Sequence, residues 1–374
     1  MSPFAVFLTI VLLVWAAMHA YVFWRISTLP MVSHHVPWWA VACAGLLLWL
    51  SFPISKFLES RAPEFISLPL EYFAANWLGI LFLLLCAFLA TDIFSLGGLL
   101  WSSKISHVRT AAAAVGLALS VVALIQGHRD PVVTTTSVEL KGLPPKRDGT
   151  VVIVVSDVHL GMLIRENWTR RLVTRINDMK PDLIVAVGDI VDGNEKRAQP
   201  MSGILKQLHA PLGVWSVTGN HDYYAGVEKS LKFLENAGMT PLRDSCAELA
   251  PGLVLAGVDD LTARAQFGTP DHPVEKALLG RPEGATILLS HTPWDVHVAA
   301  RNGANLMLSG HTHNGQIWPF TYLVRTRYPH VSGHYDINGM TLIVCRGTAT
   351  WGPRMRLWHR GEILHITLRS GSMR

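Results

Sequence analysis

Several short apolar stretches in the second part of the chain end in polar side chains that could bind a metal ion. The first stretch, 151–155, is followed by Asp157 and His159, which face the same side of an extended chain because they lie two residues apart. Carboxylate, amide and imidazole groups recur after later stretches, without a thiolate among them. The candidate set is Asp157, His159, Asp189, Asn220, His221, His291, His311 and His313.

Oxygen and nitrogen ligands of this kind suit a first-row divalent ion such as Mn, Fe or Zn better than an all-oxygen calcium site. The set is too large for one tetrahedral ion. Two ions about 3.5–4 Å apart, sharing one carboxylate and a water molecule, would use all of these ligands.

Strands and helices alternate in the part of the chain that contains these residues. Residues 168–179 and 227–237 have apolar side chains at three- and four-residue spacing, which predicts amphipathic helices between the apolar strands. This alternation is typical of an α/β layered domain, in which the polar strand ends meet along one edge. After Gly315 the pattern mostly indicates strands, and we expect them to belong to a second sheet.

Five ordered motifs resemble those of the calcineurin-like metallophosphoesterases, and the resemblance covers Val151 to the C-terminus. Features at 257–260, at 315–316 and at 346–356 further resemble a membrane-linked bacterial branch of that family. The resemblance implies a four-layer αββα domain. The five motifs are Asp157-x-His159, Gly188-Asp189-x-x-Asp192, Gly219-Asn220-His221-Asp222, His291 and Gly310-His311-x-His313.

The resemblance also implies a role for each motif residue. His221 would not bind metal but would face the phosphate and protonate the leaving oxygen, and Asp192 would orient His221. The first ion would be held by Asp157, His159 and His313, the second by Asn220, His291 and His311, and Asp189 would bridge the two.

Two bridged dications would lower the pKa of a shared water, so that a metal-bridging hydroxide attacks the phosphorus, and would neutralise the phosphoryl oxygens. Arg346 and Arg356 are candidate substrate contacts, ranked below the metal set because surface arginines are common. Asp259 and Asp260 could support the site or simply form a turn. The remaining histidines of this part of the chain are expected to be structural or exposed.

The first 127 residues contain only five Lys/Arg and four Asp/Glu, whereas half of the whole chain is hydrophobic. Apolar runs near 1–24, 37–54, 72–91 and 110–127 are long enough to span a bilayer, so we predict about four transmembrane helices. Pro53 interrupts the second run. A signal peptide is the competing interpretation of the first run, but a basic N-terminal region is missing from it.

The predicted organisation is a membrane region at 1–127, a connector at 128–149 and a phosphoesterase domain at 150–374. Lys56, Arg61 and the basic residues after the fourth run favour a multi-pass protein of the cell (inner) membrane with a cytoplasmic catalytic domain, although Arg25, Lys104 and Arg109 argue for the opposite side. Four scattered cysteines indicate isolated thiols, with a Cys246–Cys345 bridge as the alternative.

The function expected from these observations is hydrolysis of a phosphate ester or pyrophosphate bond by a membrane-anchored enzyme with two divalent ions. Two partners are expected. One is the lipid bilayer, and the other is a phosphoester substrate, for which lipid-linked compounds are candidates. A net charge of +5 without a basic run argues against nucleic acid, and hence against a nuclease. The alternative from another class is a non-catalytic membrane sensor or scaffold; the sequence leaves the oligomeric state open.

Overall fold

The computed structural model describes residues 3–59, 61–192, 195–268 and 271–371. The chain forms two compact units. Unit 1 comprises Met1–His128 together with Gly352–Trp358, and unit 2 comprises Arg129–Trp351 and His359–Arg374.

Unit 1 is helical, and four of its helices are long and apolar enough to cross a membrane, as the sequence predicted. The candidate spans are Thr9–Ser27, Trp38–Leu58, Glu64–Phe94 and Ile105–His128. The third helix begins eight residues before the predicted apolar run, at Glu64 rather than Tyr72. The helices of this unit are α1 (Pro3–Ser27), α2 (Pro30–Ser33), α3 (Trp38–Leu58), α4 (Glu64–Phe94) and α5 (Ile105–His128).

Pro53 does not end the second long helix, contrary to the expected interruption, because α3 continues through it to Leu58. A proline has no backbone N–H, so the carbonyl of Trp49, four residues earlier, loses its helical partner. The indole N–H of Trp15 on α1 donates to this carbonyl at 3.1 Å. A side chain from a neighbouring helix thus satisfies the acceptor, as an apolar environment requires.

The polar residues His19 and Glu71 have packing partners within unit 1. His19 is buried: its Nδ1 donates to the carbonyl of Trp15 at 2.9 Å, and its Nε2 accepts from the indole of Trp77 at 2.9 Å. Glu71 pairs with Lys56 at 2.8 Å. These contacts favour a helix-packing role for both residues.

Unit 2 contains two six-stranded sheets. The first has the order β1-β12-β2-β3-β4-β5 and the second β10-β11-β9-β8-β7-β6. The strands are β1 (Val132–Lys141), β2 (Val151–Val155), β3 (Leu183–Val187), β4 (Val214–Val217), β5 (Thr240–Pro241), β6 (Ser245–Ala250), β7 (Leu253–Gly257), β8 (Ala285–Leu289), β9 (Leu306–Ser309), β10 (Gly333–Ile337), β11 (Met340–Val344) and β12 (Glu362–Gly371).

The two sheets pack against each other in the middle of the unit, and side chains along each strand alternate between the two faces of its sheet. Val152 and Val154 on β2 pack in a cluster with residues of the second sheet, whereas Ile153 and Val155 pack against helices. The period of two residues in a strand explains this division. Helices also cover the outer face of the second sheet, which gives the predicted four-layer αββα fold. The helices are α6 (Glu166–Asp178), α7 (Glu195–Leu205), α8 (Asn220–Ala225), α9 (Val227–Asn236), α10 (Leu261–Phe267), α11 (Pro273–Leu278), α12 (Val296–Arg301) and α13 (Phe320–Arg327).

The last part of the chain differs from the expected second-sheet strands. β12 joins the first sheet, parallel to β1 and antiparallel to β2, while 320–327 form α13. β1 itself lies inside the stretch predicted as a connector, 128–149. An apolar alternating pattern identifies a strand but not its neighbours, because pairing partners distant in sequence are chosen by the tertiary fold.

All four cysteines are free thiols, so the alternative of a Cys246–Cys345 bridge is wrong.

Candidate metal centre

The parallel strands β2, β3, β4, β8 and β9 end at one edge, and the predicted ligands follow directly after them. Five of these ligands have a left-handed backbone with φ between 48° and 71°. Such conformations are uncommon for residues other than glycine, and they concentrate at functional sites. The five residues are Asp157, His159, Asp189, His311 and His313.

A first group of candidate ligands consists of Asp157, His159 and His313, whose ligand atoms lie within 4.8 Å of one another. The Nε2 atoms of His159 and His313 are 3.1 Å apart, and His313 Nε2 is 3.3 Å from Asp157 Oδ1. All three side chains are buried. Two imidazole nitrogens and a carboxylate oxygen that converge in this way fit a divalent cation.

A second group consists of Asp189, His291 and His311. His291 Nε2 lies 3.1 Å from Asp189 Oδ2, while its Nδ1 donates to the carbonyl of Val187 at 2.8 Å. That bond leaves Nε2 as the ring nitrogen that faces the site. Asn220 is buried, and its Oδ1 makes no hydrogen bond within the described residues. An ion is a suitable partner for such a buried oxygen.

Asp189 belongs to both neighbourhoods. Its Oδ2 is also 3.9 Å from His159 Nε2, and His159, Asp189 and His221 form a further group of possible ligands. The carboxylate position is constrained by two backbone bonds: Asp189 Oδ1 accepts from the His221 N–H at 2.8 Å, and the Asp189 N–H donates to Asp222 Oδ2 at 3.2 Å. One carboxylate is therefore within reach of both ligand groups.

Two glycines make room for these groups. A Cβ on Gly219 would overlap the Asp189 carboxylate, and a Cβ on Gly310 would overlap the hydroxyl of Ser156. Any larger residue would therefore displace the neighbouring side chains of the site.

The pKa values of the histidines in this region are shifted in different directions. Burial lowers the pKa of His159 to about 4, and it lowers the pKa of His311 to about 4 as well. Both imidazoles are therefore neutral at pH 7 and able to bind metal through a lone pair. Burial also opposes the charged form of His221, but Asp189 and Asp192 outweigh it and raise the His221 pKa to about 9.

His221 lies beside the two ligand groups. Its Nδ1 is 2.9 Å from Asp192 Oδ1, so the ring is oriented with Nδ1–H toward the carboxylate. The ring centroid is 4.8 Å from that of His159, and the rings of Tyr224 and Trp351 flank it at 5.4 and 5.5 Å. A protonated imidazole in this position could give its Nε2 proton to a bound substrate.

The two arginines predicted as substrate contacts have other surroundings. Arg346 pairs with Glu362, Nη2 to Oε2 at 3.0 Å, and donates to the carbonyl of Arg360. Arg356 belongs to unit 1, where it is 1% exposed and its backbone N–H donates to the carbonyl of Ala123. Substrate contact by either arginine stays a prediction, and these positions do not favour it.

Asp259 and Asp260, for which the sequence left two interpretations, both make structural bonds. Asp260 accepts from the Thr292 hydroxyl at 2.6 Å and from the Ala263 N–H at the start of α10. Asp259 accepts from the Thr218 hydroxyl at 2.8 Å. Because Thr292 follows His291 and Thr218 precedes the Asn220 turn, these carboxylates hold ligand-bearing loops in place.

Two further contributors were not singled out from the sequence. Asp222 accepts from the N–H groups of Gly219 and Asp189, and burial followed by the charge of Asp189 raises its pKa to about 7. The position of Asp222 in the Gly219–Asp222 motif could have pointed to it. Nothing in the sequence pointed to Tyr328. Its hydroxyl lies 2.7 Å from His311 Nε2, which leaves Nδ1 as the ring nitrogen for an ion.

Replacing Tyr328 with phenylalanine is expected to weaken metal binding by about 10- to 100-fold, the usual effect of losing a partner that orients a ligand histidine. Metal titration of the full-length protein would measure this. Tyr335→Phe is the matched control, since the Tyr335 hydroxyl bonds only to the carbonyl of Ser332 among its described contacts. Equal metal affinity in Tyr328→Phe and the native protein would show that this bond does not orient His311.

Comparison with known proteins agrees with the arrangement of motifs. Residues 150–315 match the family model described as calcineurin-like phosphoesterase. A transmembrane protein with metallophosphoesterase domain from Danio rerio is 36% identical over 264 residues, which are 67% of this chain and 60% of that protein. An uncharacterized metallophosphoesterase from Aquifex aeolicus is 35% identical over 229 residues, 60% of this chain and 87% of that protein.

A relative from Bos taurus with the same transmembrane description is 35% identical, and 74% of this chain aligns with 66% of it. The chain thus spans about 60–66% of the length of the two vertebrate relatives. The Aquifex aeolicus relative is aligned over nearly its whole length, and the family model covers all five motifs. The chain therefore belongs to the calcineurin-like phosphoesterase family.

Proposed function

We propose that this protein is a membrane-anchored, dinuclear metal-dependent phosphoesterase that hydrolyses a phosphate ester or pyrophosphate bond. The observation that carries the proposal is the placement of Asp189 within reach of two ligand groups and beside His221. A chain with one structural metal would need neither the second group nor a histidine held next to both.

The proposed ligand sets follow from the two groups. When bound, two divalent ions of the Mn, Fe or Zn type supply the Lewis acidity that activates water and neutralises phosphoryl oxygens. The chain would hold them through carboxylate, imidazole and amide groups placed at strand ends. One set is Asp157, His159 and His313, the other is Asn220, His291 and His311, and Asp189 serves both.

His221 and Asp192 are proposed as the catalytic pair. Asp189 and Asp192 raise the pKa of His221 to about 9, which favours the protonated ring, and its Nδ1–H is directed toward Asp192. The remaining N–H, on Nε2, is then free to donate to the leaving oxygen as the ester bond breaks. Asp192 fixes the ring and stabilises its charge.

Anchoring in a membrane is supported by the four candidate spans and by relatives described as transmembrane proteins. We propose the cell (inner) membrane as the location and the cytoplasmic side for the catalytic domain, on the basis of Lys56, Arg61 and the basic residues after α5. A lipid-linked phosphoester is the proposed substrate class, because such a substrate is held at the bilayer with the enzyme.

Removal of metal tests the core of this proposal. Full-length protein in detergent should hydrolyse p-nitrophenyl phosphate or bis-p-nitrophenyl phosphate, and chelation should reduce turnover by about 1,000-fold, since metal ions supply several kcal/mol of transition-state stabilisation. Addition of Mn²⁺ should restore activity. Full turnover in protein shown to be metal-free would contradict the mechanism. Bound metal without turnover on a broad phosphoester panel would instead support the scaffold alternative.

A further inference from the structure

Helix α13 and the segment just before it carry an unusual exposed apolar surface. Trp318, Phe320, Tyr322 and Leu323 are 40%, 42%, 61% and 61% exposed, and α13 contains no buried residue. We call these four residues the aromatic ledge. Single exposed apolar side chains are ordinary, but four within six positions are an unusual concentration of exposed apolar surface.

The aromatic ledge is fixed to the metal centre at both ends. It follows the turn His313–Gly315, and the Thr321 hydroxyl donates back to the carbonyl of Asn314 at 2.7 Å. At the other end, α13 leads directly into Tyr328, whose hydroxyl contacts His311. Whatever binds the ledge is therefore held beside two of the candidate metal ligands.

Further exposed aromatic side chains lie next to His221. Tyr224 and Trp351, which flank His221, are 49% and 51% exposed. The Gln316 side chain fixes Trp351 by two bonds: its Nε2 donates to the Trp351 carbonyl, and its Oε1 accepts from the Trp351 N–H, both at 2.9 Å. The rim around His221 is thus apolar on more than one side.

The positive charge of the segment that contains the ledge indicates which kind of surface binds to it. Arg325 and Arg327 are exposed on α13, and the sequence from Val296 to Tyr335 contains no aspartate or glutamate. Two copies of such a surface would bring like charges together. Aromatic residues combined with arginines are typical of segments that lie in the interface of an anionic bilayer. The same chain carries four candidate spans, and only three residues separate α5 from β1.

We propose that the aromatic ledge, with Arg325 and Arg327, inserts into the interface of an anionic bilayer, so that lipid phosphoesters reach His221 and the metal ligands directly from the membrane. This inference rests on the proposed phosphoesterase function and narrows its substrate class to lipids whose acyl chains contact the ledge. Water-soluble phosphoesters would use the same centre without help from the ledge.

A measurement independent of activity tests the membrane contact. In full-length protein with Cys43, Cys86, Cys246 and Cys345 replaced, Leu323→Cys would carry a fluorophore in nanodiscs that contain phosphatidylglycerol and spin-labelled lipid. Leu279→Cys is the matched control, because Leu279 is another exposed apolar residue, 82% exposed, at the end of α11. The label at 323 should be quenched severalfold more than the label at 279.

Equal quenching at the two positions would overturn the proposal. Cross-linking between copies at position 323 without quenching would also overturn it and would identify the ledge as an interface between copies of the chain. Should the cysteine-replaced protein not fold, the following inhibition measurement uses the native cysteines and decides the question separately.

The second measurement compares a lipid with its free headgroup as inhibitors of p-nitrophenyl phosphate hydrolysis. Phosphatidic acid in mixed micelles should inhibit the native protein at a concentration at least about tenfold lower than sn-glycerol 3-phosphate, the difference expected from burying apolar surface. Tyr322→Ser/Leu323→Ser should lose this difference and keep its turnover of the soluble substrate. Leu279→Ser should behave like the native protein.

An unchanged preference for phosphatidic acid in the double variant would overturn the role of the ledge. Loss of soluble-substrate turnover in the same variant would show damage to the metal centre rather than to lipid contact, and would also count against the proposal. If the native protein hydrolyses neither p-nitrophenyl substrate, the proposed function fails, while the quenching experiment still decides whether the ledge meets the membrane.

Discussion

Asp189→Asn is expected to reduce phosphoester turnover by about 1,000-fold or more, because the Asp189 carboxylate lies within reach of ligands from both groups. The amide keeps the size of the side chain and can still accept the His221 N–H bond that Asp189 Oδ1 accepts at 2.8 Å. What it loses is the negative charge, which His291 and His221 stabilise by holding the Asp189 pKa well below its usual range against the opposing effect of burial.

The same variant should also change metal stoichiometry. Elemental analysis should show less bound metal per chain than in the native protein, and a Mn²⁺ titration should show weakened binding. Asp178→Asn is a suitable control, since Asp178 is an exposed residue at the end of α6. Native activity and native metal content in Asp189→Asn would rule out the bridging role.

His221→Asn is expected to lower turnover by about 100- to 10,000-fold, the range for removal of a general acid or base, while metal content stays at the native level. The effect should be larger for esters with poor leaving groups, such as alkyl phosphates, than for p-nitrophenyl phosphate, because a good leaving group needs less help from a proton. Rates with a series of leaving groups would measure this difference.

His209→Asn, at an exposed position of the same unit, provides the control for loss of a histidine. The structure offers a specific alternative, since His221 also forms a possible ligand group with His159 and Asp189. A parallel loss of metal and activity in His221→Asn would favour that ligand role and count against proton donation.

Much of the candidate site could be predicted because its residues follow buried strands. Asp157, Asp189 and His291 come directly after apolar runs, and the carboxyl ends of parallel strands meet at one edge of a sheet. The left-handed backbone at five of the ligands could not be read from the sequence. Bonds such as Asp189 N–H to Asp222 hold this region together, and they join the loop after β3 to helix α8.

Predictions that required a contact between distant residues were less successful. The helix α3 continues through Pro53 because Trp15, on another helix, satisfies the carbonyl that the proline leaves open. β12 joins the first sheet although the pattern placed it in a second one. In both cases the local sequence was interpreted correctly as apolar helix or strand, and the missing information was the neighbouring element.

Composition, periodicity and short motifs are local properties of the chain, and they were enough to predict its division into an apolar helical part and an α/β part, the candidate ligands and the family. Only the tertiary structure showed that Asp189 lies between two ligand groups, that Tyr328 contacts His311 and that α13 exposes its apolar residues beside them. Distances and exposure arise from packing between residues far apart in sequence, and no local pattern specifies them.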